Sequence, residues 1–206
     1  MTLSRVIALL TLGAASLLPA VACAQSTIAG PTTFANVGGS RVLTIPVTAS
    51  VGGRCTFALN GAPTGSFDAG QIDKLGWASQ FPFVLDCNGA ARVAVTSANG
   101  GLRTSAQPTD AGYLGLAPYQ VRLNLVGDAS AAASAQCDVA TLIASASSPC
   151  AFIGPATQSR GLRIAPSSKS LTGSYLEVSA AAYSGPGILV QGAYADTLTV
   201  TVSAAL

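Results

Sequence analysis

Hydrophobic and polar residues alternate with a period of two along most of the chain, in short runs separated by Gly, Pro and Asn. Residues 41–51 place Leu43, Ile45, Val47, Ala49 and Val51 on one side and Val42, Thr44, Pro46, Thr48 and Ser50 on the other. Residues 194–206 repeat the pattern, with Leu198, Val200 and Val202 opposite Thr197, Thr199, Thr201 and Ser203. Between them, strands are expected at residues 55–59, 80–87, 91–97, 119–126, 161–165, 174–180 and 187–190. Turns are expected at Asn60-Gly61, Asn88-Gly89, Asn99-Gly100-Gly101, Gly127-Asp128 and Ser184-Gly185-Pro186-Gly187, whose residue types tolerate or impose turn geometry. Many short strands at this spacing predict an all-β sandwich or barrel. Aromatic residues make up 6% of the chain, too few for the aromatic girdles of an outer-membrane barrel.

The last strand poses a problem. Flat, Thr-rich and β-branched, it has no later partner in the sequence, and its one charge, Asp196, sits near its start. An exposed edge of this kind pairs with an earlier segment or with another chain. One stretch breaks the alternation. Residues 128–148 are rich in Ala and Ser, which predicts an elaborated loop with a short helix beginning within residues 129–135.

The N-terminus reads as an export signal. Arg5 precedes an apolar stretch over residues 6–18, Pro19 breaks it, and Ala22, Cys23 and Ala24 supply small residues ahead of Gln25. The run is short for a membrane span, so no stable membrane insertion is expected after its removal. The expected division is a signal peptide at residues 1–24, an N-terminal extension at 25–52 and a domain at 53–206. Processing leaves 206 − 24 = 182 residues, enough for one β-domain with a core.

Charge and composition then remove whole classes of function. Without Arg5, nine Lys and Arg face eight Asp and Glu, leaving no basic stripe for nucleic acid. The charged fraction is 9%, which suits a surface destined for burial in an assembly. The sequence contains no His, so imidazole acts neither as base nor as metal ligand. Neither Lys74 nor Lys169 follows a Ser by three positions, the spacing of a Ser-Lys dyad. The acidic residues Asp68, Asp73, Asp86, Asp110 and Glu177 are isolated or lie in turns. No catalytic residue, metal or cofactor is expected. Four cysteines remain after processing, Cys55, Cys87, Cys137 and Cys150, and an even count in an exported chain points to disulfides. Three pairings are open on sequence alone.

Taken together, several motifs resemble one family. These are Cys55-Thr-Phe57, Gly65-Ser-Phe67-Asp-Ala-Gly70, Phe83-Val-Leu-Asp-Cys87-Asn-Gly89, Val93-Ala-Val-Thr-Ser97 with Gly100-Gly101, and Gly192-Ala-Tyr194-Ala-Asp196 before the final strand. They resemble the spore-coat-protein-U domain, a family that includes pilin subunits of archaic chaperone-usher pili. The resemblance covers most of residues 41–206. The 137–150 element looks like an addition to the family pattern, and residues 116–125 lack its Tyr-rich strand. The resemblance implies an incomplete immunoglobulin-like β-sandwich lacking its final strand. Its implied partners are sister subunits, a periplasmic chaperone and an outer-membrane usher, with the protein passing through the periplasm to a surface pilus. Leu43, Ile45, Val47, Ala49 and Val51 are then the expected donor strand. Tyr194, Asp196, Leu198, Val200 and Val202 are the expected edge of the acceptor groove. With loop-closure entropy, the resemblance also favours pairing Cys55 with Cys87 and Cys137 with Cys150. The alternative is a tip adhesin or secreted receptor- or glycan-binding module completed by its own segment.

Overall fold

The computed structural model describes residues 48–106, 108–147 and 149–205. The expected signal peptide and the donor positions Leu43, Ile45 and Val47 lie outside them. The described chain is all-β. Its strands are β1 (Cys55–Phe57), β2 (Trp77–Cys87), β3 (Ala91–Ser97), β4 (Leu102–Thr104), β5 (Tyr113–Leu114), β6 (Leu116–Ala117) and β7 (Gln120–Val126). They continue with β8 (Ala132–Asp138), β9 (Leu162–Ile164), β10 (Ser168–Ala180), β11 (Ile188–Leu189), β12 (Tyr194–Ala195) and β13 (Leu198–Ala204).

Two antiparallel sheets form the body, one ordered β1-β2-β10-β7-β8 and the other β13-β3-β9. Their inner faces follow from the period-two pattern. In β7, Val121, Leu123 and Leu125 are buried while Gln120 and Arg122 are exposed. These residues meet Phe83 and Leu85 of β2, Leu176 and Val178 of β10, Val93 and Val95 of β3, and Ile164 of β9. Leu198, Val200 and Val202 of β13 pack against the same core, as their alternation predicts. Two small sheets, β12-β4-β6 and the parallel pair β11-β5, cap one end. Among the described residues no helix is long and apolar enough to cross a membrane.

Cys55 pairs with Cys87 and Cys137 with Cys150, the expected neighbour pairing. The first disulfide joins residues directly opposite each other on β1 and β2.

Two expectations need correction. The stretch from residue 128, expected as an elaborated loop with a helical turn, opens on a 3-10 turn, Asp128–Ser130, but then enters a strand, β8, which pairs with the whole of β7. Ala133, Ala135 and Cys137 turn inward while Ser134, Gln136 and Asp138 face out. A strand holds here because small side chains on the inner face let β8 lie close over the sandwich margin. The disulfide therefore tethers a sheet strand to the segment behind it. The final run is also not one strand. It breaks at Asp196 and Thr197, sending Tyr194–Ala195 to β4 and Leu198–Ala204 to β3.

Candidate binding groove

β13 is an edge strand. Its partner among the described residues is β3, in a continuous register from Leu198 opposite Ser97 to Ala204 opposite Ala91. The Thr197 carbonyl accepts from Ala98 N–H, and Ala205 N–H donates to the Ala90 carbonyl, so odd-numbered residues direct their backbone groups toward β3. The N–H and C=O groups of Leu198, Val200 and Val202 therefore point away, along the open side.

The edge of the larger sheet lies beside this open side, but only partly. β1 pairs with β2 over Leu85 to Cys87 and stops. Gly53, just ahead of β1, packs against Ala204, so β1 flanks the last residues of β13. Among the described residues, no strand flanks the first residues of β13 in this way. A cavity of about 420 Å³ opens there. Leu198 and Val200 form one wall, Phe81, Leu176 and Val178 the floor, and residues 63–69 the opposite rim.

The β2 margin facing this space is the poorer place for another strand. Val84 N–H donates to the Gly61 carbonyl (2.8 Å), which fixes the direction of alternate N–H groups along β2. Residue 82 should present the next donor on that side, and it is proline, which has none. Between the two margins of the groove, β13 is the one with an unbroken set of outward donors and acceptors.

Three aromatic rings cross the cavity in a row. Phe67 lies 5.8 Å from Trp77 and Trp77 lies 5.7 Å from Tyr119, centroid to centroid, in tilted contacts typical of attractive aromatic pairs. Tyr119 is buried, Trp77 half-buried and Phe67 42% exposed.

The row ends on a carboxylate. Tyr119 OH and Ser97 Oγ both donate to Asp196 Oδ2 (2.7 Å each), while the N–H groups of Thr197 (2.7 Å) and Asn99 (3.1 Å) donate to Oδ1. Ser97 Oγ in turn accepts from Gly100 N–H (2.7 Å), and Asn99 Nδ2 donates to the Ala195 carbonyl (3.1 Å). Asp196 thus ties the β3–β4 turn, the start of β7 and the start of β13 to one point. With four donors its lone pairs are occupied, so it serves as a structural acceptor. Burial, and then the neighbouring Asp196 carboxylate, push the Tyr119 phenol well above its ordinary range, so it stays a donor into alkaline solution.

Of the expected groove residues, Tyr194, Asp196, Leu198 and Val200 all line the cavity, and Val202 packs on the core beyond it. Tyr194 works from the capping sheet, its hydroxyl donating to the Val190 carbonyl (2.8 Å). Ala49 and Val51 are exposed, Val51 at 88%, and belong to no strand. Asn88 fixes the chain just after them: its side chain accepts from Arg54 N–H (2.7 Å) and donates to the Gly52 carbonyl (3.0 Å). Asn88 was legible only as a turn residue. Phe81 and Tyr119 were legible only as members of expected strands, Phe67 only as part of a resemblance motif and Trp77 not at all, because nothing local shows that their rings meet across sheets. No protein-family model, curated protein or solved structure matches the chain.

Proposed function

We propose that this chain is a structural subunit of an extracellular pilus, of the spore-coat-protein-U kind, that polymerises by donor-strand complementation. A neighbouring copy lays its N-terminal segment along β13, with main-chain bonds supplying affinity and alternate side chains filling the groove. The observation that carries this reading is the open margin of β13, with the backbone groups of Leu198 and Val200 directed over an apolar cavity. The exposure of Ala49 and Val51, just ahead of the Asn88 clamp and outside every strand, suits a stretch that serves a neighbouring copy rather than its own sheets. Each Leu, Ile or Val side chain seated in the groove contributes roughly 1.5–3 kcal/mol before ordering costs. The two disulfides suit assembly in an oxidising periplasm, with a chaperone holding the groove until an outer-membrane usher exchanges it for the donor. Surface attachment or biofilm formation is the role of such a fibre.

The test is self-association of the exported chain. Sedimentation should reveal a ladder of head-to-tail species, and Ile45→Asp with Val47→Asp should reduce it more than tenfold. A heat-stable monomer, or a ladder indifferent to both substitutions, overturns the assignment.

The aromatic row beside a polar rim favours a second reading, a self-complete tip adhesin or glycan-binding module in which Trp77 stacks on a sugar ring. That reading predicts a monomer whose Trp77 fluorescence responds to glycans and not to a peptide of residues 41–52.

A further inference from the structure

The rim opposite β13 differs from every other wall of the groove. The chain leaves the larger sheet after the turn at Gly61, whose N–H donates to the Ala58 carbonyl and whose carbonyl accepts from Val84 N–H. From residue 62 to residue 70, no main-chain hydrogen bond joins it to either sheet among the described residues. Its one bond is local, Gly70 N–H to Asp68 Oδ1 (2.9 Å). Order resumes at Gln71, whose carbonyl accepts from Lys74 and Leu75. Residues 64–68 are exposed, and the segment carries two glycines at positive φ, Gly65 within it (φ 133°) and Gly70 at its end (φ 65°). No side chain lies within 4 Å of where a Cβ on Gly70 would be, so that end turns in open space. The aromatic inward contact of this strap is Phe67, set against Trp77, while Gly65 lies against Phe81 and Pro63 and Ala69 are half-buried at the cavity. Pro82 withholds the β2 donor that would otherwise bond the strap to the sheet.

A segment without ladder bonds, with two glycines at positive φ and side-chain packing as its hold on the sheets, has the properties of a moving part. We propose that residues 63–70 form a flap along the rim of the groove that stays latched until a strand arrives beside β13, with Phe67 as its latch on Trp77. This rests on the donor-strand reading and adds the regulation of that site. The latched flap shields the aromatic floor from stray apolar segments, and its opening sets the rate at which a donor enters. The donor gains more than the flap loses, because it makes main-chain bonds along β13 that the flap does not make.

Trp77 is the only tryptophan in the chain, so its fluorescence reports the latch directly. The experiment uses the full exported chain carrying Ile45→Asp and Val47→Asp, which leaves an added peptide of residues 41–52 as the sole donor. Stopped-flow mixing should give a Trp77 signal whose rate saturates with peptide concentration, the ceiling being flap opening. Phe67→Ala should raise that ceiling roughly three- to tenfold, as loss of one aromatic contact implies. Phe67→Leu, which keeps an apolar side chain on a half-exposed position, should fall between. If the peptide binds with rates that rise linearly and equally in all three proteins, the flap is wrong and the donor reading stands. If the peptide binds to none of them, both fall.

Discussion

Asp196 explains why the final run of residues, continuous in pattern, is divided in space. Its carboxylate draws Thr197 N–H and Asn99 N–H onto one oxygen and Ser97 and Tyr119 onto the other, which bends the backbone out of the capping sheet and aims β13 along β3. Asp196→Ala strands the Tyr119 and Ser97 donors in a buried setting and should cost about 3 kcal/mol, read as a lower urea midpoint, with accelerated exchange of the β13 amides. Tyr119→Phe removes one donor and should cost about 1 kcal/mol. It also carries a pH signature. The folded-state phenol lies above its unfolded value of about 10, so its contribution is complete below that pH and is lost as pH rises through the folded-state value. Unfolding midpoints compared at about pH 8 and about pH 11 should fall less steeply in Tyr119→Phe than in the parent. An equal fall in both would mean that other groups set the alkaline limit. In the sequence Asp196 was visible as the lone charge before the last strand, but beyond its neighbour Thr197 its partners come from two distant segments, around Ser97 and at Tyr119, and no local pattern encodes that convergence.

At the level of elements, legibility tracked side-chain size. β3 coincides with its expected bounds because Val93 and Val95 alternate with Arg92, and β7, which begins one residue after its expected start, keeps the rest because Val121, Leu123 and Leu125 alternate with Arg122 and Asn124. β8 escaped because alanine carries both a high helix propensity and a weak hydrophobic signal. Its strand character lay in the polar positions instead, where Ser134, Gln136 and Asp138 recur at every second residue. β4, β5, β6 and β12 are two or three residues long, too short for any period to register. β10 begins at Ser168, earlier than its pattern suggests, because register shifts on either side of Leu171 interrupt the alternation. Tethering of β8 by the Cys137–Cys150 disulfide closes a short loop. Replacing both cysteines with alanine should lower stability by about 3 kcal/mol in thermal or urea unfolding while leaving peptide binding at the groove unchanged. A loss of groove binding in that variant would tie β8 to the site and contradict this division of roles.

For the whole molecule, the groove and the segment proposed to fill it belong to different ends of the chain, so their union between copies is heterologous and does not close. That polarity is testable by mixing two crippled chains. The Ile45→Asp, Val47→Asp protein keeps a groove and loses its donor. Val200→Pro keeps the donor and removes an outward N–H from β13 without touching a β3 ladder bond. Neither should form species beyond the monomer alone, and an equimolar mixture should stop at dimers. Long fibres from the mixture, or no association at all, would rule out a head-to-tail contact. The architecture of the body was legible in advance because two-sheet burial follows from alternation. The location of its open margin was not, because it depends on where β1 stops.

The staple between Cys55 and Cys87 sets a further limit on any guest. It fastens β1 opposite the end of β2, and Gly53, just ahead of it, meets Ala204 at the far end of β13, so β1 bounds the outward margin of that strand there. On the proposed reading, a guest would find that margin available from Leu198 only as far as β1, which would make the place where β1 is pinned a gauge of how many residues one molecule lends the next.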